Sequence, residues 1–263
     1  MDLGLDGKRA FVSGSTGGIG FAIARGLARE GAAVIVNGRT EAAVDTAIRR
    51  IRDETGAPAH GIAADLGSAA GVEVAVARLG TVDILVNNLG IFEPKPFLEI
   101  PDEDWSRFFE INVMSGIRLS RALLPGMVDR DWGRILFISS ESGLNIPVEM
   151  VHYGMTKTAQ LAVSRGLAET VAGTGVTVNA VLPGPTRSEG VGAFVASLAR
   201  DQGKSTDEVE AEFFHTARPS SLLRRFAEVD EVANMAVYLC GTGASATNGA
   251  ALRVDGGVVR SIA

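Results

Sequence analysis

The sequence predicts an α/β chain built around a doubly wound parallel sheet, and three observations carry that expectation. Short runs rich in Val, Ile, Leu and Phe alternate with longer stretches of helical periodicity, the pattern of right-handed strand–helix–strand crossovers. Several of these runs are apolar at nearly every position, as strands covered on both faces are. A glycine-rich turn joins the first apolar run to the first helical stretch.

The elements follow in order. Candidate strands are RAFVS (9–13), AAVIVN (32–37), HGIAA (60–64), VDILVN (82–87), RILFIS (134–139), VTVNAVL (176–182) and ALRV (251–254). Between them, residues 19–30 follow the first strand, and in 40–52 an apolar stripe of Val44, Ile48 and Ile51 marks a helix covering one sheet face. Further helical patterns fall at 102–128, 152–172 and 228–240. Residues 187–225 break the alternation with two amphipathic pieces. Val191, Phe194, Val195 and Leu198 share one face of the first. The second opens on Ser205-Thr206-Asp207-Glu208, a capping-box pattern, before Val209 and Phe213. A helical pair inserted after a strand reads as a substrate lid over the strand ends. One domain, 1–263, accounts for the whole chain.

Composition narrows the partners. The chain has 46% hydrophobic and 21% charged residues, enough for a sizeable core. Its formal net charge is −6 with basic residues scattered, which disfavours nucleic acid and anionic membranes. The lone cysteine, Cys240, sits in the apolar run AVYLC and allows no intrachain disulfide. No uncharged apolar run approaches the length of a membrane span and no signal peptide opens the chain, so a cytoplasmic location is expected. The three histidines, His60, His152 and His215, are isolated, and no metal site is expected. His152 is expected to line the substrate site, with Asn145 and Met150.

In SGSTGGIGFAIARGLAREG (13–31), Gly14, Gly18 and Gly20 open the first helix. Glycine permits a sharp turn and close approach of backbone to a pyrophosphate, and the free N–H groups of the helix start face the anion. Placed after the first strand, this turn predicts a dinucleotide site. The second strand ends Val36-Asn37-Gly38-Arg39-Thr40, with an arginine where a carboxylate would hold the ribose of NAD. A guanidinium suits a 2′-phosphate, so NADP(H) is favoured, with NAD(H) possible.

Within YGMTK, Tyr153 and Lys157 stand four apart on a helix, and so on one face. Such a pair is either an ordinary surface contact or a phenol held beside an ammonium.

With the glycine turn, NNLG (87–90) and YGMTK in view, the chain closely resembles the short-chain dehydrogenase/reductase family over essentially its whole length, in particular its 3-oxoacyl-carrier-protein reductase and sugar dehydrogenase branches. The resemblance implies a Rossmann-type, three-layer αβα fold with a seven-stranded parallel sheet. It implies cofactor contacts along the turn at Gly14, Ser15, Thr16, Gly18, Ile19 and Gly20, at Asp65 and Leu66 after the third strand, and at Asn88 and Gly90. Pro183, Gly184 and Thr186 would lie near the nicotinamide. It also implies a catalytic tetrad of Asn112, Ser140, Tyr153 and Lys157. Tyr153 would exchange the proton of a carbinol, its pKa lowered by Lys157 and an oxidised nicotinamide. Lys157 would also hold the nicotinamide ribose, Ser140 the substrate oxygen, and Asn112 a water leading to Lys157. The expected activity is interconversion of a small-molecule carbonyl and a secondary alcohol, in a homotetramer. A catalytically silent dinucleotide-binding sensor or scaffold is the alternative. Three departures stand out: Ser13 replaces threonine, Leu89 replaces a small alanine, and the helix between Asp65 and Asn87 is shortened. The lid is acidic, with Asp207, Glu208, Glu210 and Glu212, and does not favour an acidic carrier protein, although Arg187, Arg218, Arg224 and Arg225 would offer local contacts.

Overall fold

Strand and helix alternation resolves into a seven-stranded sheet in a computed structural model that describes residues 2–262. The strands are β1 (Arg9–Val12), β2 (Ala33–Gly38), β3 (Ala59–Ala63), β4 (Ile84–Asn87), β5 (Gly133–Ile138), β6 (Val176–Pro183) and β9 (Ala251–Val254). They run in the order β3-β2-β1-β4-β5-β6-β9, every neighbouring pair parallel. Two further two-residue strands, β7 (Thr186–Arg187) and β8 (Ala227–Glu228), pair with each other. Strand order reverses between β1 and β4, the place where open α/β sheets take ligands at the carboxyl ends of their strands.

Helices cover both faces. On one, α1 (Gly18–Arg29), α2 (Glu41–Thr55) and α9 (Val229–Cys240) bury Ile23, Leu27, Val44, Ile51 and Val232 against Val12, Val36 and Val86. On the other, α3 (Ala69–Leu79), α5 (Ser115–Asp129) and α6 (Val151–Thr170) bury Val72, Leu79, Leu119 and Ala168 against Phe11, Ile135 and Val178. Each large side chain fully buried this way contributes about 1.5–3 kcal/mol. The Rossmann-type three-layer arrangement is therefore as expected, and each predicted strand begins and ends within two residues of the observed one. Helix α3, with 11 residues, is the short helix after Asp65. Cys240 is buried and free. No helix among the described residues is long and apolar enough to cross a membrane.

The helix expected over 102–128 is interrupted. It consists of α4 (Asp102–Phe109), a π turn (Glu110–Met114) and α5. A π turn inserts one residue into the helical ladder and commonly marks a functional site. Here it surrounds Asn112, whose Oδ1 accepts from the Ile91 N–H at 2.8 Å and whose Nδ2 donates to the Ile91 carbonyl at 3.0 Å. These bonds offset the local irregularity by holding the chain after β4 to the helix.

After β7 come α7 (Glu189–Gln202) and α8 (Thr206–Thr216). The capping box at Ser205 and Glu208 forms as its spacing predicts. Val195, Ala199, Val209, Phe214 and Phe226 make a small core of their own, with Val191, Leu198 and Phe213 against it. The side chain of Phe194, expected on the same face, lies outside the described residues.

Candidate active site

The glycine turn is held in shape before any ligand is considered. Gly14 and Gly18 have φ of 58° and 56°, a region that side chains disfavour. Ser13 Oγ accepts from the N–H groups of Asn88 and Leu89 at 2.9 and 3.0 Å. Asn88 Nδ2 donates to the carbonyls of Ser13 and Gly14 at 3.0 and 2.9 Å. A Cβ at Gly20 would stand 2.4 Å from Asn88 Nδ2 and 2.6 Å from the Gly14 carbonyl. Leu89 packs against the turn, with its Cδ1 3.3 Å from where a Gly14 Cβ would be, so the departure from alanine is absorbed by close contact. Helix α1 opens on Gly17 without a side-chain cap, leaving its first N–H groups for an anion. The residues fit a pyrophosphate.

Several expected cofactor residues have other work. Ser15 is expected to touch the cofactor, but its N–H and its hydroxyl are both spent inside. Its N–H donates to the Asn37 carbonyl at 2.8 Å, and its Oγ donates to Val12 O at 2.7 Å while accepting from Asn37 N–H at 2.9 Å. It shapes the turn. Leu66 is buried in the core, which leaves only its main chain to face an adenine. Gly184 is required by packing, since a Cβ there would lie 2.5 Å from the Asp255 carbonyl. Asp65 is exposed and accepts from Gly67 N–H at 3.1 Å. Thr16 abuts Gly38 at the end of β2. Next along, Arg39 is exposed, with no hydrogen bond or ion pair to any described residue.

From the turn, a cavity of about 570 Å³ runs along the strand ends to α7 and α8. Ile19, Asn88, Gly90, Pro183 and Thr186 line its near part, and Val195, Val209 and Phe213 its far part. In its floor stand Ser140, Tyr153 and Lys157. Ser140 ends the segment after β5 and accepts from Ser142 N–H at 3.1 Å. It is also the neighbouring side chain that acts to lower the pKa of the Tyr153 hydroxyl. Lys157, one turn after Tyr153 on α6, places Nζ 5.6 Å from the centre of the phenol ring and donates to the Ile138 carbonyl at 3.0 Å. Asn112 stands behind Lys157 rather than in the cavity lining; a Cβ on Gly90 would be 3.4 Å from both Asn112 Oδ1 and Lys157 Nζ.

The electrostatics differ from the expectation of a depressed phenol. Burial is the dominant influence on both groups. It pushes Tyr153 up to about 12, with Ser140 acting against it, and pushes Lys157 down to about 7. The protein's own groups thus hold Tyr153 as a protonated phenol, ready to donate.

Two further expectations are corrected. His152 does not line the cavity. It is fully buried against Phe108, ring centroids 4.0 Å apart, and edge-on to Trp105 at 5.9 Å. The helical period turns it a hundred degrees from Tyr153, into the space between α4 and α6. Burial lowers its pKa. Asn145 is exposed and outside the lining, whereas Met150 does line it. Of the four lid arginines, three are already paired: Arg187 with Glu210 and Glu228, Arg225 with Glu231, and Arg218 with Glu141 and Glu149. Of the four, Arg224 alone shows no ion pair to a described residue. Among the described residues no three His, Cys, Asp or Glu side chains group as metal ligands.

Glu141 was not singled out from the sequence. It follows Ser140 directly, is 3% exposed, and receives Arg218 Nε at 3.0 Å. A charged residue in ISSESG, between a buried strand and a helix, was the available signal.

Comparison with known proteins agrees with this geometry. A family model described as enoyl-(acyl carrier protein) reductase matches residues 14–259. The uncharacterized oxidoreductase YvaG of Bacillus subtilis (strain 168) is 48% identical, with all of both chains covered. The D-beta-hydroxybutyrate dehydrogenase of Cupriavidus necator is 35% identical, over 97% of this chain and 99% of that one. The chain belongs to the short-chain dehydrogenase/reductase family. It is an oxidoreductase of that family. The crystal structure of L-sorbose reductase from Gluconobacter frateurii, complexed with NADPH and L-sorbose, superposes with a TM-score of 0.94 at 32% identity, covering all of both chains.

Proposed function

We propose that this short-chain dehydrogenase/reductase uses NADP(H) to interconvert a neutral carbonyl and a secondary alcohol, with Ser140, Tyr153, Lys157 and Asn112 as its catalytic tetrad. The observation that carries the reading is the grouping of Ser140, Tyr153 and Lys157, with Nζ 5.6 Å from the phenol ring centre, in one cavity that begins at the glycine turn. A bound nicotinamide dinucleotide supplies or takes the hydride. Tyr153 donates the hydroxyl proton to the substrate oxygen in reduction and recovers it in oxidation. Ser140 holds that oxygen and stabilises charge developing on it. Lys157 stabilises the phenolate left behind. Helices α7 and α8 form the lid, and their apolar faces exclude water from the reacting atoms.

Preference for NADP(H) rests on Arg39, the unpaired guanidinium that directly follows Gly38, itself against Thr16 of the glycine turn, where a 2′-phosphate would be met. Titrating the protein with NADPH and NADH separately, by quenching and energy transfer to the reduced nicotinamide, tests it. Tighter NADPH binding, reduced about 10- to 100-fold by Arg39→Ala, is the expected result, matching the worth of a charge-assisted phosphate contact. Equal or tighter NADH binding overturns the preference, and binding of neither sinks the enzymatic reading.

The reading extends to a homotetramer. Exposed Phe97 and Leu98 before α4, and Phe109 at its end, present apolar surface that a second copy would cover. Sedimentation equilibrium giving a monomer would refute it. A reducing, cytoplasmic setting suits the free, buried Cys240.

A further inference from the structure

Beside Lys157 lies a buried polar side chain to which the proposed chemistry gives no part. Gln160, one turn further along α6, is 2% exposed. Its Nε2 donates to the main-chain carbonyl of Asn112 at 2.6 Å, and its Oε1 accepts from Lys157 Nζ at 3.3 Å. The π turn at Glu110–Met114 surrounds the Asn112 carbonyl that Gln160 meets. The Asn112 side chain bonds the Ile91 main chain and donates to Thr156 Oγ1 at 3.0 Å. The Gln160 carboxamide thus joins the Asn112 main chain to Lys157 directly.

The direction of that carboxamide is determined. A carbonyl can only accept, so Asn112 O must face the NH₂ end of Gln160, and the oxygen end is turned to the lysine. An ammonium can only donate, and it meets two acceptors, Gln160 Oε1 and Ile138 O. Burial is what acts on Lys157, with no charged partner. Tyr153 is the titratable group whose ring lies against it, and Glu141 and Arg218 act on Tyr153 instead.

Resting on the proposed roles of Tyr153 and Lys157, we propose that Gln160 is a positioning residue, held by the Asn112 carbonyl so that its oxygen keeps the Lys157 ammonium charged and aimed along α6. An ammonium so held faces the phenol. Without the acceptor, Lys157 loses its proton at lower pH and leaves the phenolate without a cation.

Two substitutions with opposite expected signs test this. Gln160→Met keeps the volume and removes the acceptor, so Lys157 is expected to titrate about one pH unit lower. Gln160→Glu replaces the acceptor with a carboxylate, so Lys157 is expected to titrate at least about one unit higher. The chain has only four lysines, Lys8, Lys95, Lys157 and Lys204, so ¹³C NMR of labelled lysine side chains reads this directly, with Lys157→Met assigning the signal. In turnover of NADPH with a carbonyl substrate, the alkaline limb of kcat should move the same way in each variant. KM should stay within about two-fold, since Gln160 does not line the cavity. Opposite shifts of the Lys157 signal support the proposal. No shift, or shifts of one sign in both variants, overturns it. A wild-type protein that shows these NMR shifts but turns over no carbonyl would refute the proposed reaction and leave the Gln160 contact standing.

Discussion

Tyr153→Phe is expected to lower kcat by about a thousand-fold, roughly 4 kcal/mol in the barrier, while NADPH affinity stays within about two-fold. Phenylalanine keeps the ring that stands edge-on to Phe92, centroids 6.4 Å apart, and over which Lys157 sits. It removes only the hydroxyl, on which Ser140 acts. Initial rates with a carbonyl substrate, alongside NADPH titration of the same preparation, measure both quantities. A catalytically silent dinucleotide sensor predicts instead that no activity is lost. A parallel fall in cofactor affinity would mean that Tyr153 organises the cofactor site rather than moving a proton.

The largest expected loss of stability is at Arg218→Met. Arg218 follows α8 and is itself buried, as is its partner Glu141. It ties the lid to the segment bearing Ser140 through Glu141, and to the start of α6 through Glu149, both at 3.0 Å. Removing the cation leaves a buried carboxylate uncompensated, which costs about 3–5 kcal/mol. Adding Glu141→Gln to the same variant should recover most of that loss, because the uncompensated charge goes with it. The deficit should also depend on pH. Burial raises the pKa of Glu141 and Arg218 opposes this, so in the variant the folded-state pKa rises further above its unfolded value. The folded state then holds a proton the unfolded state has lost, and stability falls as pH rises from the ordinary carboxylate range through that raised pKa. Urea unfolding at pH 5 and pH 8 should show the larger deficit at pH 8. Equal deficits would mean that Glu141 is not the group left unpaired.

Much of this molecule is legible along the chain because the deciding interactions are local. The glycine turn is one: positive φ at Gly14 and Gly18 and an uncapped helix start are consequences of seven consecutive residues. The capping box at Ser205 and the apolar runs of β4 and β5 are others. Spacing also put Tyr153 and Lys157 on one helix face, and there they stand.

Harder to see were roles decided by contacts distant in sequence. Ser15 reads like a ligand-facing residue of the turn, yet its hydroxyl is claimed by the main chain of β1 and β2. His152, adjacent to Tyr153, reads like a wall of the substrate site, yet one step of helical rotation buries it on Phe108. Arg187 and Arg225 read as possible local contacts for an acidic partner, yet acidic side chains of β8, α8 and α9 are paired with them.

By itself the sequence determined the strand–helix order, the phosphate turn, and the pairing of a phenol with an ammonium, since periodicity and backbone sterics act within a few residues. Only the tertiary structure decided what surrounds that ammonium and that phenol. Gln160 meets the Asn112 carbonyl across 48 positions, and Arg218 meets Glu141 across 77. Burial makes those meetings matter: away from water, a polar group must find its partner within the fold, and that partner is chosen by how the helices pack on the sheet.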